Sequence, residues 1–128
     1  MTSTESIRIL LAEDNASVLA LLKKFIQTTG HTVDVAENGQ QALEKALIHS
    51  PDIIITDVMM PIMNGFELLD AIRNEMAISH IPVILLTAKD DQQSKLKGLS
   101  DLADDYITKP FDGQELLIRM HGLLGIRT

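Results

Sequence analysis

Apolar positions along this chain follow two rhythms that alternate. Ile7-Arg8-Ile9-Leu10-Leu11-Ala12, Asp52-Ile53-Ile54-Ile55-Thr56 and Pro82-Val83-Ile84-Leu85-Leu86 are short runs of branched and aliphatic residues with little polar interruption. Such runs mark strands covered on both faces. Thr32-Val33-Asp34-Val35-Ala36 and Asp105-Tyr106-Ile107-Thr108 are more mixed and also read as strands. After the first run the spacing turns helical: residues 16–29 carry Val18, Leu19, Leu22, Phe25 and Ile26, with Asn15 to cap the start and Gly30 to end it. Asn38-Gly39 leads into a short helix through Ala42, Leu43, Ala46 and Leu47, stopped before Pro51. The turn Met60-Pro61-Ile62-Met63-Asn64-Gly65 precedes a helix bearing Phe66, Leu68, Leu69 and Ile72.

Residues 92–102 read as a more polar helix. Residues 112–124 read as the last one, capped by Asp112, with Leu116, Leu117, Met120, Leu123 and Leu124 as its buried stripe. Strand and helix thus alternate five times. This predicts an α/β fold, a doubly wound five-stranded parallel sheet with five flanking helices. No repeat, low-complexity stretch or linker divides the 128 residues, so 1–128 is expected to be one domain. Residues 1–6 are expected to be flexible, and 125–128 fit the start of a linker to a further domain.

Composition narrows the function. Aromatic residues make up only 3% of the chain, so the core must be aliphatic. A net charge of −7 argues against nucleic-acid binding, which needs clustered Lys and Arg to neutralise phosphates. With no cysteine, disulfides and thiolate metal sites are excluded. The longest apolar runs fall short of a membrane span, and Met1-Thr2-Ser3-Thr4-Glu5-Ser6 is no signal peptide, so a cytoplasmic location is expected.

Chemistry concentrates where the strands end. Asp57 closes one apolar run, Glu13-Asp14 follow another, Thr87 ends a third, and Lys109-Pro110 follow the last. In open parallel sheets, ligands bind outside the carboxyl ends of the strands. Three carboxylates, a hydroxyl and an ammonium converging there suit a divalent cation and a phosphoryl group. Each has a blander reading. Glu13-Asp14 fit a solvated loop, Lys109 a surface lysine, Thr87 a strand residue and Tyr106 a half-buried strand aromatic. The methionines fit gap-filling, and His31, His49, His80 and His121 share no pattern of a phosphohistidine or metal ligand.

In order, the segments resemble the receiver domain of two-component response regulators over nearly the whole chain. The marks are Glu13-Asp14, Asp57 with Met60-Pro61 and Gly65, Thr87-Ala88, Asp104-Asp105-Tyr106 and Lys109-Pro110-Phe111. The resemblance implies a flavodoxin-like strand order 2-1-3-4-5. It implies that Asp57 accepts a phosphoryl group from a histidine kinase or histidine phosphotransfer partner, in a Mg²⁺-dependent reaction. Asp14 and Asp57 would be direct metal ligands, Met59 a ligand through its backbone carbonyl, and Glu13 one through water. Lys109 and Thr87 would contact phosphoryl oxygens, Tyr106 would follow Thr87 as the switch aromatic, and the Lys109–Pro110 bond would be cis. The chain would be a signalling switch that assists its own phosphorylation and dephosphorylation, not a true enzyme.

One departure is visible: Leu102 stands where the family usually has Gly, which predicts strain if that position needs positive φ. The resemblance extends to receivers attached to winged-helix DNA-binding domains, in which charges at similar positions pair across a two-fold interface. Lys95 with Glu115, and Asp105 with Arg119, match those signs on the 92–102 helix, the last strand and the last helix. That arrangement predicts a homodimer promoted by phosphorylation. Two alternatives stand beside the receiver. A phosphohydrolase of the haloacid-dehalogenase type needs a second Asp two places after the nucleophile, where this chain has Met59. A degenerate receiver used only for docking would not need the full acid set, Thr87 and Lys109.

Overall fold

The aliphatic runs are strands with side chains buried on both sides. The computed structural model describes residues 6–88 and 102–125. Within them run β1 (Arg8–Ala12), β2 (Thr32–Ala36), β3 (Ile53–Asp57), β4 (Val83–Thr87) and β5 (Asp105–Thr108), all parallel, in the order β2-β1-β3-β4-β5. The helices described are α1 (Ala16–Gln27), α2 (Gly39–Ile48), α3 (Gly65–Asn74) and α4 (Gly113–Leu124). The expected strand order and doubly wound class are therefore found. The helix expected at 92–102 lies outside the described residues, apart from Leu102.

Because successive strand side chains point to opposite faces, each central strand feeds two cores. Ile9 and Leu11 of β1 join Ile53, Ile55, Ile84 and Leu86 in the layer under α1 and α4. Leu10 and Ala12 join Ile54, Val83 and Leu85 in the layer under α2 and α3. This is why β3 and β4 carry no polar alternation: every residue of both is buried. The edge strands β2 and β5 have one side open and are correspondingly mixed.

The helix starts are fixed by side chains that accept the free N–H groups of the first turn. Asn15 accepts from Ser17 and Val18, Asn38 from Gln41, and Asp112 from Glu115. Asn64 and Glu67 form a reciprocal capping box at α3. At the end of α1 the Thr28 and Thr29 hydroxyls bond back to the carbonyls of Phe25 and Ile26, and Gly30 turns the chain away with φ 92. The helix therefore stops at Gln27, two residues short of the expected 29. On α4 the buried stripe covers Leu116, Leu117 and Met120, while Leu123 remains 36% exposed.

Two features of the loops were not foreseen. Between β3 and α3, Ile62 has φ 70, and Met63 N–H donates to Pro61 C=O across it at 2.7 Å, a tight γ-turn. A β-branched residue rarely takes that conformation, which typically costs about 1–3 kcal/mol. The loop is held by Gly39 N–H on Met63 C=O and Gly65 N–H on Val58 C=O, each at 2.8 Å. Neither glycine has room for a side chain: a Cβ would strike Met63 C=O at Gly39 and Asp57 C=O at Gly65.

The second feature is Arg73. Its guanidinium donates to Leu102 C=O, Ser79 C=O, Ile81 C=O and the Asp104 carboxylate, and Asp104 also accepts from Val83 N–H. Leu102 is thereby anchored through its carbonyl, and its side chain packs against the α2–α3 core. The strain expected at Leu102 depends on its link to residue 101, which lies outside the described residues.

Candidate functional site

All four strand ends singled out in the sequence reach the same edge of the sheet. Glu13 and Asp14 follow β1, Asp57 ends β3, Thr87 ends β4 and Lys109 follows β5. Helix α1 is capped at Asn15, which leaves the acid pair on the short crossing between strand and helix. Gly65 lets the start of α3 close against the Asp57 backbone, so Asp57 is 93% buried rather than solvated on a loop.

One carboxylate oxygen from each of Glu13, Asp14 and Asp57 lies within 4.8 Å of the others. Lys109 enters this cluster from β5: its Nζ is 2.9 Å from Asp57 Oδ1 and 3.6 Å from Glu13 Oε1. Asp57 Oδ1 also accepts from Val58 N–H at 2.9 Å, and Glu13 Oε2 from Asn15 N–H at 3.1 Å. The Lys109–Pro110 peptide is cis, as expected.

The electrostatics are those of a crowded acid site. Burial pushes the Glu13 carboxyl above its ordinary value, and the charges of Asp57 and Asp14 add to this against the opposing Asn15 N–H and Lys109. Burial alone would lower Lys109, but the hydrogen bond and charge of Asp57, helped by Glu13, outweigh it and leave the ammonium raised. With all groups ionised, three carboxylates and one ammonium leave two negative charges uncompensated. One buried atom in the same region, Thr87 Oγ1, has no hydrogen-bond partner among the described residues, and Glu13 Oε1 has only the longer 3.6 Å contact to Lys109. Buried polar atoms are normally satisfied. An oxygen cluster of net charge −2, only partly offset by one ammonium, fits a hard divalent cation, and the donor set is right for Mg²⁺.

Other residues behave less simply. Met59 is 61% exposed in the turn after β3. Tyr106 lies on edge strand β5 opposite Leu85 and is 43% exposed. Arg119 pairs with Asp105 at 2.8 Å and with Glu115 at 3.4 Å within one chain. The charge pair expected across a two-fold axis is thus already closed inside the single molecule, and Lys95 lies outside the described residues. His31 and His121, read in the sequence as unrelated, meet at 3.0 Å.

A doubly wound parallel sheet in the order β2-β1-β3-β4-β5, with this acid cluster, lysine and threonine at its carboxyl edge, has the flavodoxin-like architecture. The family described as "Response regulator receiver domain" matches residues 9–121. The response regulator ArlR of Staphylococcus aureus is 41% identical over 117 residues, which cover 91% of this chain and 52% of that protein. The chain thus spans about half the length of the curated relatives it matches. Among solved structures, a putative response regulator from Chloroflexus aurantiacus superposes with a TM-score of 0.87 at 30% identity, covering 94% of this chain and 99% of that one. The receiver domain of a sensor histidine kinase from Pseudomonas aeruginosa, with a magnesium ion coordinated in its active site cleft, gives a TM-score of 0.85 at 27% identity, over 94% and 99% of the two chains. This chain belongs to the response regulator receiver domains of two-component systems. Among the described residues no helix is long and apolar enough to cross a membrane.

Proposed function

We propose that this domain takes a phosphoryl group onto Asp57 from a phosphohistidine on a partner kinase or phosphotransfer domain, and that the modified domain switches an output. The observation that carries this reading is the buried Asp57, with Lys109 at 2.9 Å and two further carboxylates alongside. In the transfer a carboxylate oxygen of Asp57 bonds to phosphorus as the bond from phosphorus to the donor imidazole nitrogen breaks, and that nitrogen keeps the electron pair. Such a reaction depends mainly on positioning and on stabilising charge over the phosphoryl oxygens. Lys109 and the Val58 N–H hold Asp57 Oδ1 in place, which fixes the carboxylate before the donor arrives. Lys109 supplies a point charge to a phosphoryl oxygen, and the orphaned Thr87 hydroxyl is free to donate to another.

Asp14, Asp57 and the Met59 carbonyl would hold Mg²⁺ directly, with Glu13 reaching it through water. Bound there, the ion would offset the carboxylates and the charge on the phosphoryl oxygens. The location of such a switch is cytoplasmic, free or as the cytoplasmic part of a larger sensor.

Acetyl phosphate with Mg²⁺ should add one phosphoryl group to the chain by intact mass, and excess EDTA should prevent it. Full yield in EDTA would refute the metal dependence, and no adduct under any condition would refute the acceptor role. The ligand roles can be separated as well. Glu13 is buried, with its oxygens facing Asn15 N–H and Lys109, whereas Asp14 is exposed. Asp14→Ala should therefore weaken Mg²⁺ more than Glu13→Ala in parallel titrations followed by NMR. A larger loss for Glu13→Ala would exchange the two roles.

A further inference from the structure

At the opposite edge of the sheet from the acid cluster, two imidazoles meet head-on. His31 stands just before β2 and His121 in the last turn of α4, ninety residues apart in sequence, with Nε2 to Nε2 at 3.0 Å. Their ring centroids are 5.2 Å apart and the planes cross at 80°. Two nitrogens 3.0 Å apart also match a pair chelating one metal at about 2.0–2.1 Å. In that case, however, both rings would turn toward a common point and their centroids would draw in to about 4.7 Å, given that bond length. The observed separation is that of rings aimed at each other along a shared N–H.

The proton's place follows from the neighbours. Ile7 N–H, just before β1, points at His31 Nδ1 at 3.4 Å, and a backbone N–H can only donate. His31 Nδ1 is therefore the acceptor and its proton sits on Nε2. His31 Nε2–H then donates to His121 Nε2, which puts the His121 proton on Nδ1. That Nδ1 is buried and has no partner among the described residues. Any added proton must break something. On His31 Nδ1 it collides with the Ile7 N–H, and on His121 Nε2 it faces the His31 N–H.

We propose that His31 and His121 form a proton-sensitive latch, which holds the last turn of α4 against the starts of β1 and β2 while both rings are neutral and releases it on protonation. Burial lowers His31 below its ordinary 6.5, and the charge of His121 adds to this. Burial alone lowers His121 below the same value. Since the folded pair binds protons less readily than free histidines, the latch is complete above pH 6.5 and weakens as pH falls through the lowered values. Each histidine then reduces the closed-to-open ratio by up to about tenfold per pH unit.

The test is an NMR titration of the isotope-labelled chain from about pH 8 to pH 5, the range in which histidine changes charge. Ring correlations should place the proton on Nε2 of His31 and Nδ1 of His121 at the upper end. Both should titrate below 6.5, and the amides of Ile7 and of residues 122–125 should move with the same midpoint while exchange in the last turn of α4 quickens. His121→Gln should remove that shared step, and His49→Gln, at an exposed position, should leave it. A proton on His31 Nδ1, or two rings titrating at their ordinary value with Ile7 unmoved, would overturn the latch. The wild-type data decide the matter even if His121→Gln does not fold.

Discussion

Asp57→Asn is expected to abolish phosphoryl uptake while the domain stays folded. The amide nearly matches the carboxylate in shape and still offers an oxygen to Val58 N–H, whose bond to Asp57 Oδ1 is 2.9 Å long. It has no anionic oxygen to form the acyl phosphate, so the adduct should fall below detection. A loss of at least about a thousandfold in rate corresponds to ~4 kcal/mol of barrier. Stability should move far less, because two changes oppose each other. Lys109 loses its 2.9 Å partner, but its side chain is 36% exposed, where an ion pair contributes little. Glu13 meanwhile loses the Asp57 charge that helps to raise its carboxyl, which relieves repulsion in a buried site. The net change should be within about 1 kcal/mol. Intact mass after acetyl phosphate treatment checks the first expectation, and urea unfolding checks the second. An adduct that persists on the Asn variant would move the acceptor to Glu13 or Asp14.

Much of this arrangement was legible in the sequence because it is built from short-range signals. Continuous aliphatic runs mark the central strands, which end in Asp57, in Thr87 or just before Glu13-Asp14, while Lys109-Pro110 follow the mixed edge strand β5. The helix caps Asn15, Asn38, Asn64 and Asp112 act on backbone N–H groups two or three residues away, within one turn. Convergence at one edge then follows from parallel topology, since every strand delivers its C-terminus to the same side.

What escaped the sequence depends on partners far apart along the chain. Arg73 reaches Leu102 and Asp104 across about thirty residues, and nothing around it marks it as a clamp for the segment before β5. His31 and His121 meet only because α1 and α4 cover the same face of the sheet. Arg119 and Asp105 carry the opposite signs of a pair and meet within the chain, but sign alone does not distinguish a contact within a chain from the one expected between chains. Ile62 at positive φ contradicts its own preference, held there by the bonds that Gly39 and Gly65 make on either side.

Thr87→Ala and Lys109→Ala should both uncouple phosphorylation from the switch, but with different effects on the resting domain. The Thr87 hydroxyl is buried with no hydrogen-bond partner among the described residues, so its removal takes nothing favourable from the unmodified state. The substitution also deletes the buried Cγ2 methyl, worth about 1 kcal/mol. That offsets the about 1–3 kcal/mol that an unsatisfied buried hydroxyl typically costs, so resting stability should change little. Lys109, by contrast, is the cation of the acid cluster, so its loss leaves Asp57 and Glu13 facing each other and should lower resting stability at neutral pH. In the activated state the two variants converge. Each lacks a contact to a charged phosphoryl oxygen, worth about 1.5–3 kcal/mol. Because that contact exists only when the group is present, its whole value biases the switch, and the active population should fall by about ten- to a hundredfold. Beryllofluoride, a phosphoryl mimic, gives the readout through the amides of β5 around Tyr106, opposite Leu85 of β4. Either variant responding like the wild type would remove that residue from the switch. A Thr87→Val domain, which keeps the Cγ2 methyl and exchanges only the hydroxyl for a second methyl, would if markedly less stable at rest show that the hydroxyl already has a structural partner.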